Sequence, residues 1–231
     1  AGLRSVHPCF LLAFGVARMM RRSILLFTLI LVLGLPSVLH AQSETDWLTR
    51  VQDRYDALNG LRAEYEQTVT SPLDDGTTER TGMLYATPEA FRVEGDGQTI
   101  VSNPTTTYVY NRMRGQVIVS DAEANDGNWA RPTTLFAQFS DAFTLEASES
   151  ASNGTRRLTL QATDEQADYE TLVLWVRERD TVITQLELTD FSGTHIRIRL
   201  NAIALNPDFA DDLFTFEPPA EAEVVDLRDD A

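Results

Sequence analysis

The chain has no lysine, a single cysteine and only three histidines. Cys9, His7 and His40 all precede Gln42. From there on no thiol exists, so disulfides, thiolate chemistry and cysteine lipidation are excluded for residues 42–231. The remaining histidine, His195, opens "HIRIRL", whose alternation sets it on the polar face of a strand. One imidazole cannot build the common zinc sites, which need several His or Cys donors. No GxSxG elbow accompanies it, and no glycine-rich phosphate loop occurs. Asp74-Asp75 and Asp211-Asp212 read as turn chemistry. With 35 acidic residues, chance carboxylate pairs are inevitable and carry no argument for acid–base catalysis. No catalytic residue, metal or cofactor is assigned, and the chain reads as a binding protein.

Long apolar runs are also scarce. The one that stands out, Ile24–Leu35, has 12 residues, short of the roughly 20 that a membrane helix needs. Arg21-Arg22 precede it, and Pro36 and the small residue Ala41 follow, which is the pattern of a secretory signal peptide. Met19 or Met20 reads as the true start, with residues 1–18 an upstream extension. Cleavage after Ala41 leaves one domain, 42–231, in an exported compartment such as a bacterial periplasm.

All 35 acidic residues follow position 41, against 15 arginines, a net charge of about −20 for that stretch. This disfavours nucleic acid, which requires a basic footprint. The acids are scattered, and the plainer account is a surface kept soluble at high salt.

What is present is periodicity. Ser43 and Asp46 stand at capping-box spacing, and Leu48, Val51, Tyr55 and Leu58 follow at helical steps up to Asn59-Gly60. After Gly60 the period becomes two. "LRAEYEQTVT", "AFRVEG", "QTIVSN", "TTYVYN", "QVIVS", "FTLEAS", "RRLTLQA", "TLVLWV", "VITQLELTD" and "HIRIRLNAI" are short strands separated by turn residues. "TTLFAQFSDAF" interrupts them with Leu135, Phe136, Phe139 and Phe143 at helical spacing. "FTFEPP" closes the series as a last strand, with Phe214 and Phe216 on one face and the prolines ending it. The prediction is a mainly β, α+β domain: a strongly curved antiparallel sheet of about 10–11 strands with two or three covering helices. Periodicity alone leaves open whether the apolar lining is a packed core or a cavity.

The stretches "LRAEYEQTV", "GMLYATPEAFRV", "QTIVSN", "TYVYNRMRGQVIV", "RPTTLFAQF", "LELTDFSG" and "LFTFEPPAEAEVVD" occur in an order that resembles the LolA family, periplasmic carriers of outer-membrane lipoproteins. The resemblance spans nearly all of Trp47 to Asp226. It implies an incomplete β-barrel lidded by helices over an apolar cavity. Acyl chains of lipoproteins would be taken from an inner-membrane lipoprotein-releasing transporter and passed to an outer-membrane acceptor by a monomeric chaperone. Phe91 matches the family's rim aromatic and implies cargo contact. Tyr65, Val93, Tyr108 and Tyr110 are assigned to the lining, Leu135, Phe136, Phe139 and Tyr55 to the lid, and Phe216 to packing near the cavity. On this reading Phe91→Glu impairs transfer and spares the fold. The family's lid-latching arginine is replaced by Thr87, ahead of Pro88. The main alternative is a periplasmic lipid- or lipoprotein-sensing regulatory module of the same fold, which usually adds a second domain. An outer-membrane acceptor would need a cysteine where Gln42 stands.

Overall fold

The computed structural model describes residues 38–72, 74–122, 142–164, 167 and 169–228. The chain divides into two units, Ala1–Ala41 and Gln42–Ala231, and the sheet and its core belong to the second. One α-helix, α1 (Val38–Asp56), precedes twelve strands among the described residues. These are β1 (Leu61–Ser71), β2 (Asp74–Ala86), β3 (Phe91–Gly95), β4 (Gln98–Ser102), β5 (Thr106–Asn111), β6 (Gln116–Asp121), β7 (Phe143–Ser150), β8 (Thr155–Ala162), β9 (Thr171–Arg177), β10 (Val182–Thr189), β11 (His195–Leu205) and β12 (Glu223–Asp226). They form one open sheet in the order β12-β6-β5-β4-β3-β2-β1-β11-β10-β9-β8-β7. Hairpin connections make neighbours antiparallel, as their short turns require. β1 joins the two halves by pairing with both β2 and β11.

Because side chains alternate, the register sorts the sheet into two faces. The core face carries Leu61, Ala63, Leu84, Ala86 and Phe91 in one half and Leu158, Leu160, Leu172, Leu174, Leu186, Leu188, Ile198 and Leu200 in the other, all buried in one cluster. Val51 of α1, 2 % exposed, joins that cluster, so the helix covers this face. Tyr55 fixes the helix further along. The β9–β10 ladder is irregular between Ile183 and Gln185, and the Ile183 N–H donates to the Tyr55 hydroxyl at 3.1 Å. Burial pushes the Tyr55 phenol far up, so it stays neutral and fit to accept. Tyr55→Phe leaves that N–H without its acceptor, at a cost of about 1–3 kcal/mol. A urea midpoint lowered without a change in slope is the expected reading; an unmoved midpoint would show that the bond contributes nothing net.

The other face of β2–β6 is covered by the chain that follows β11. Asn206, in the left-handed region at φ 51°, turns the chain out of the strand, and its Oδ1 accepts from the Asn59 N–H at 2.8 Å. Phe209 meets Tyr85 edge-on at 6.2 Å and Phe214 at 5.5 Å. Phe216 lies 5.5 Å from Tyr108 and 5.9 Å from Tyr110, ring centre to ring centre. Arg92 Nη1 donates to the carbonyls of Leu213 (3.1 Å) and Thr215 (3.4 Å), while its Nε is 2.7 Å from Glu94 Oε1. Val101, Val117 and Val119 on this face are buried in consequence. The chain then adds β12 parallel to β6 at the sheet edge.

Three details differ from the sequence reading. The strands number twelve rather than ten or eleven, because the acidic tail residues Glu223–Asp226 pair with β6. That pairing is parallel, since a long connection rather than a hairpin leads to it. "FTF" is not a strand: its rings pack on the sheet's back, so aromatic alternation there serves side-chain cover and not a ladder. Helix α1 begins at Val38 and runs through Ser43, which lies within the helix rather than at its start. The second predicted helix, with Leu135, Phe136 and Phe139, lies outside the described residues, and the cover described on the core face is α1.

Candidate functional site

Beyond the part covered by α1, the core face continues across β3–β6 as a row of aliphatic side chains in register. Leu84 opposes Val93, Val93 opposes Ile100, Ile100 opposes Val109, and Val109 opposes Ile118. Leu84 is buried; Val93, Ile100, Val109 and Ile118 are only half-buried. Branched residues are favoured on such pleated positions, so the local sequence dictates both the strands and the surface they present. The result is an apolar strip that the described residues do not fully cover.

Two registers border the strip. On one side Phe91, Ser102, Thr107 and Ser120 follow one another, with Ser102 and Thr107 hydroxyls buried and paired at 2.8 Å. On the other side Tyr65, Gly82, Gly95, Gln98, Asn111 and Gln116 run across the strands. A Cβ at Gly95 would meet the Tyr65 hydroxyl, so the tyrosine ring reaches over a glycine that leaves it room, while one at Gly82 would meet the Glu94 carbonyl of the adjacent strand. Burial raises the Tyr65 phenol pKa, with the nearby Asp96 acting in the same direction and Arg80 opposing it. None of the residues of β3–β6 on this face is charged. The site offers contact with hydrocarbon and a few neutral hydrogen-bonding groups.

The register separates the residues proposed from sequence. Val93 belongs to the strip and Tyr65 to its border. Phe91 is on the same face but 3 % exposed and part of the core cluster, so a carboxylate placed there strikes the core rather than sparing the fold. Tyr108 and Tyr110 oppose Val101 and Thr99 and point to the back face, under Phe216; they do not share a surface with Phe91. Phe216 accordingly lies on the back face as well. Tyr55 anchors α1 through Ile183. Thr87 is occupied in its own turn: its hydroxyl accepts from the Ala90 N–H at 3.0 Å and lies 3.2 Å from the Ala90 carbonyl. Leu135, Phe136 and Phe139 lie outside the described residues. Ile100, Val109 and Ile118 were missed. Their signal was the alternation in "QTIVS", "TYVYN" and "QVIVS", in which both faces are apolar and either can be chosen.

His195 is on the back face, 3.3 Å from Glu187 Oε2, while Arg197 Nε is 2.7 Å from Glu187 Oε1. The carboxylate is thus held between an imidazole and a guanidinium in a polar ladder across β10 and β11. Among the described residues no group of three or more His, Cys, Asp or Glu could hold a metal ion.

The model of the outer membrane lipoprotein carrier protein LolA matches residues 56–217. The chain belongs to the LolA family. It is 28 % identical over 180 residues to the outer-membrane lipoprotein carrier protein of Alkalilimnicola ehrlichii, covering 74 % of this chain and 80 % of that one. It is 27 % identical over 202 residues to the same-named protein of Shewanella loihica, covering 86 % and 94 %. An uncharacterized conserved protein of Thermus thermophilus shares the fold, with a TM-score of 0.53 and 15 % identity over 80 % of this chain and 99 % of that one. As a LolA-family chain the protein is a non-enzymatic chaperone, in keeping with the uncharged strip. No helix among the described residues is long and apolar enough to cross a membrane.

Proposed function

We propose that the protein carries lipoproteins between membranes by holding their acyl chains against Val93, Ile100, Val109 and Ile118. The observation that carries this reading is the in-register strip of half-buried aliphatics in a LolA-family sheet. Each CH₂ withdrawn from water is worth about 0.8 kcal/mol, so acyl chains do not cross an aqueous space unshielded. Neutral hydroxyl and amide borders and an incompletely buried strip make binding reversible, which a carrier needs.

In this scheme the segment from Met19 or Met20 to Ala41 directs export and is removed, and 42–231 work as a single periplasmic domain. The sheet curls around the acyl chains as an incomplete barrel, with the segment bearing Leu135, Phe136 and Phe139 as a lid. Tyr65 lines the entrance, Phe91 backs it, and Thr87 leaves latching to other residues. An inner-membrane transporter loads the monomer and an outer-membrane acceptor unloads it.

The direct test is to recover the protein from the periplasm under mild conditions and analyse what accompanies it by mass spectrometry. An acylated lipoprotein in near-equal amount is expected, and its unacylated counterpart should not be retained. Folded protein that captures neither, or holds both equally well, would end the proposal.

A further inference from the structure

Arginine is the only permanently cationic side chain here, and acids outnumber it by 35 to 19. Arginines that gather with few ion pairs among the described residues therefore need an account. Trp47, Arg50 and Arg54 fall along one stripe of α1, three and four residues apart. The Arg50 guanidinium carbon is 4.1 Å from the Trp47 ring centre, and that of Arg156, on β8, is 4.8 Å away. Both distances are within cation–π reach, so the indole fixes two guanidinium groups at once.

Their polar partners are incomplete. Arg156 donates from Nη1 to Ser148 Oγ (3.2 Å) and from Nη2 to Ser150 Oγ (2.7 Å), and Nη2 is 3.2 Å from Glu178 Oε1. Its Nε–H is buried and has no acceptor, and the same holds for the Nε–H of Arg54. Neither Arg50 nor Arg54 makes an ion pair among the described residues. Asp56 accepts from Gln52 at 2.9 Å instead, and Asp53 is not paired with either arginine. Among the described residues, Arg50, Arg54 and Arg156 thus have one ion-paired carboxylate between them, Glu178, which is held by Arg156. Buried donors on charged groups are costly to leave unmet, and two of them stand here.

We propose that Trp47, Arg50, Arg54 and Arg156 form a binding site for a phosphate oxyanion. The charge left over by Glu178 suits a group carrying one to two negative charges better than a single carboxylate. The guanidinium fork matches phosphate oxygens, and stacking on Trp47 holds the forks in place before the anion arrives. The same chemistry is offered by free phosphate and by the phosphodiester of an anionic phospholipid headgroup. The site lies on α1 and β8, apart from the aliphatic strip of β3–β6, and stands or falls independently of it.

Trp47 reports on its own site. The test is to titrate the purified protein, at constant ionic strength, with inorganic phosphate and separately with phosphatidylglycerol vesicles. Chloride and phosphatidylcholine vesicles are the controls. A saturable change in tryptophan emission is expected, absent from Trp47→Phe and about tenfold weaker in affinity in Arg50→Gln/Arg54→Gln, a change of about 1.4 kcal/mol. Arg50 is exposed and Arg54 and Trp47 are half-buried, so a normal circular-dichroism spectrum is required of each variant to confirm folding. A response to inorganic phosphate assigns a soluble anion, and a response to the vesicles alone assigns the headgroup. No saturable response to either, or one that the double variant and Trp47→Phe retain, overturns the site. Acyl-chain capture is not the readout, so failure here leaves the carrier reading untouched.

Discussion

Val109→Glu abolishes capture of acylated cargo and leaves the protein folded. Val109 sits at the middle of the strip, opposed by Ile100 on one side and Ile118 on the other. It is half-buried and, unlike Val93 and Ile100, is not packed against the core cluster. In the empty protein a glutamate here can keep its carboxylate in water, so folding loses little. With hydrocarbon laid along the strip the carboxylate must be covered, and an unpaired charge brought under apolar cover costs several kcal/mol. Since about 2.7 kcal/mol is a hundredfold in affinity, capture should fall by at least roughly that factor. Val109→Leu, which keeps the surface apolar, should retain cargo. The measurements are co-purified lipoprotein and, in parallel, the thermal midpoint. A folded Val109→Glu protein with undiminished cargo would place the acyl chains elsewhere.

Much of this architecture is legible in the sequence where the determinants are local. Asn103-Pro104, the stretch Arg112–Gly115 and the stretch Phe191–Thr194 fall between strands, as their turn chemistry requires. The Leu48, Val51, Tyr55 stripe does face the sheet. What is not legible is the choice between faces. "TYVYN" alternates aromatic and aliphatic residues, and burial on both sides leaves period two with no polar face to mark the outside. The residues that bury the back face, Phe209, Phe214 and Phe216, come from far along the chain. Nothing within β5 announces that Tyr108 and Tyr110 will be covered by them. The same non-locality hid β12, whose parallel pairing with β6 depends on the path of residues 207–222 rather than on its own four residues. Aromatic alternation in "FTF" looked like a strand because side-chain period reports a face, and a strap lying over tyrosines needs a face as much as a strand does.

Phe91→Glu has the opposite signature from Val109→Glu, although both residues point to the same side of the sheet. Phe91 is 3 % exposed, opposes Ala86 on β2 and Ser102 on β4, and belongs to the cluster that holds Leu61, Ala63 and Leu84. Removing such a ring costs about 3–5 kcal/mol before any charge is considered. A carboxylate in its place either ionises without a partner or stays protonated, and both are unfavourable. A total loss of about 5 kcal/mol or more is comparable with the whole stability of many domains. At about 2–4 °C per kcal/mol for a domain of this size, the thermal midpoint drops by roughly 10–20 °C. The pH dependence identifies the cause. Burial raises the pKa of the introduced carboxyl above its unfolded value of about 4.3, so the deficit is smallest below that pH. It widens as pH rises through the folded pKa, because the unfolded chain can then ionise while the native one resists. A deficit that is constant between acid and neutral pH would mean the carboxylate reaches water. Phe91 would then be a surface residue of the strip, and loss of transfer in this variant could be read as loss of contact rather than loss of fold.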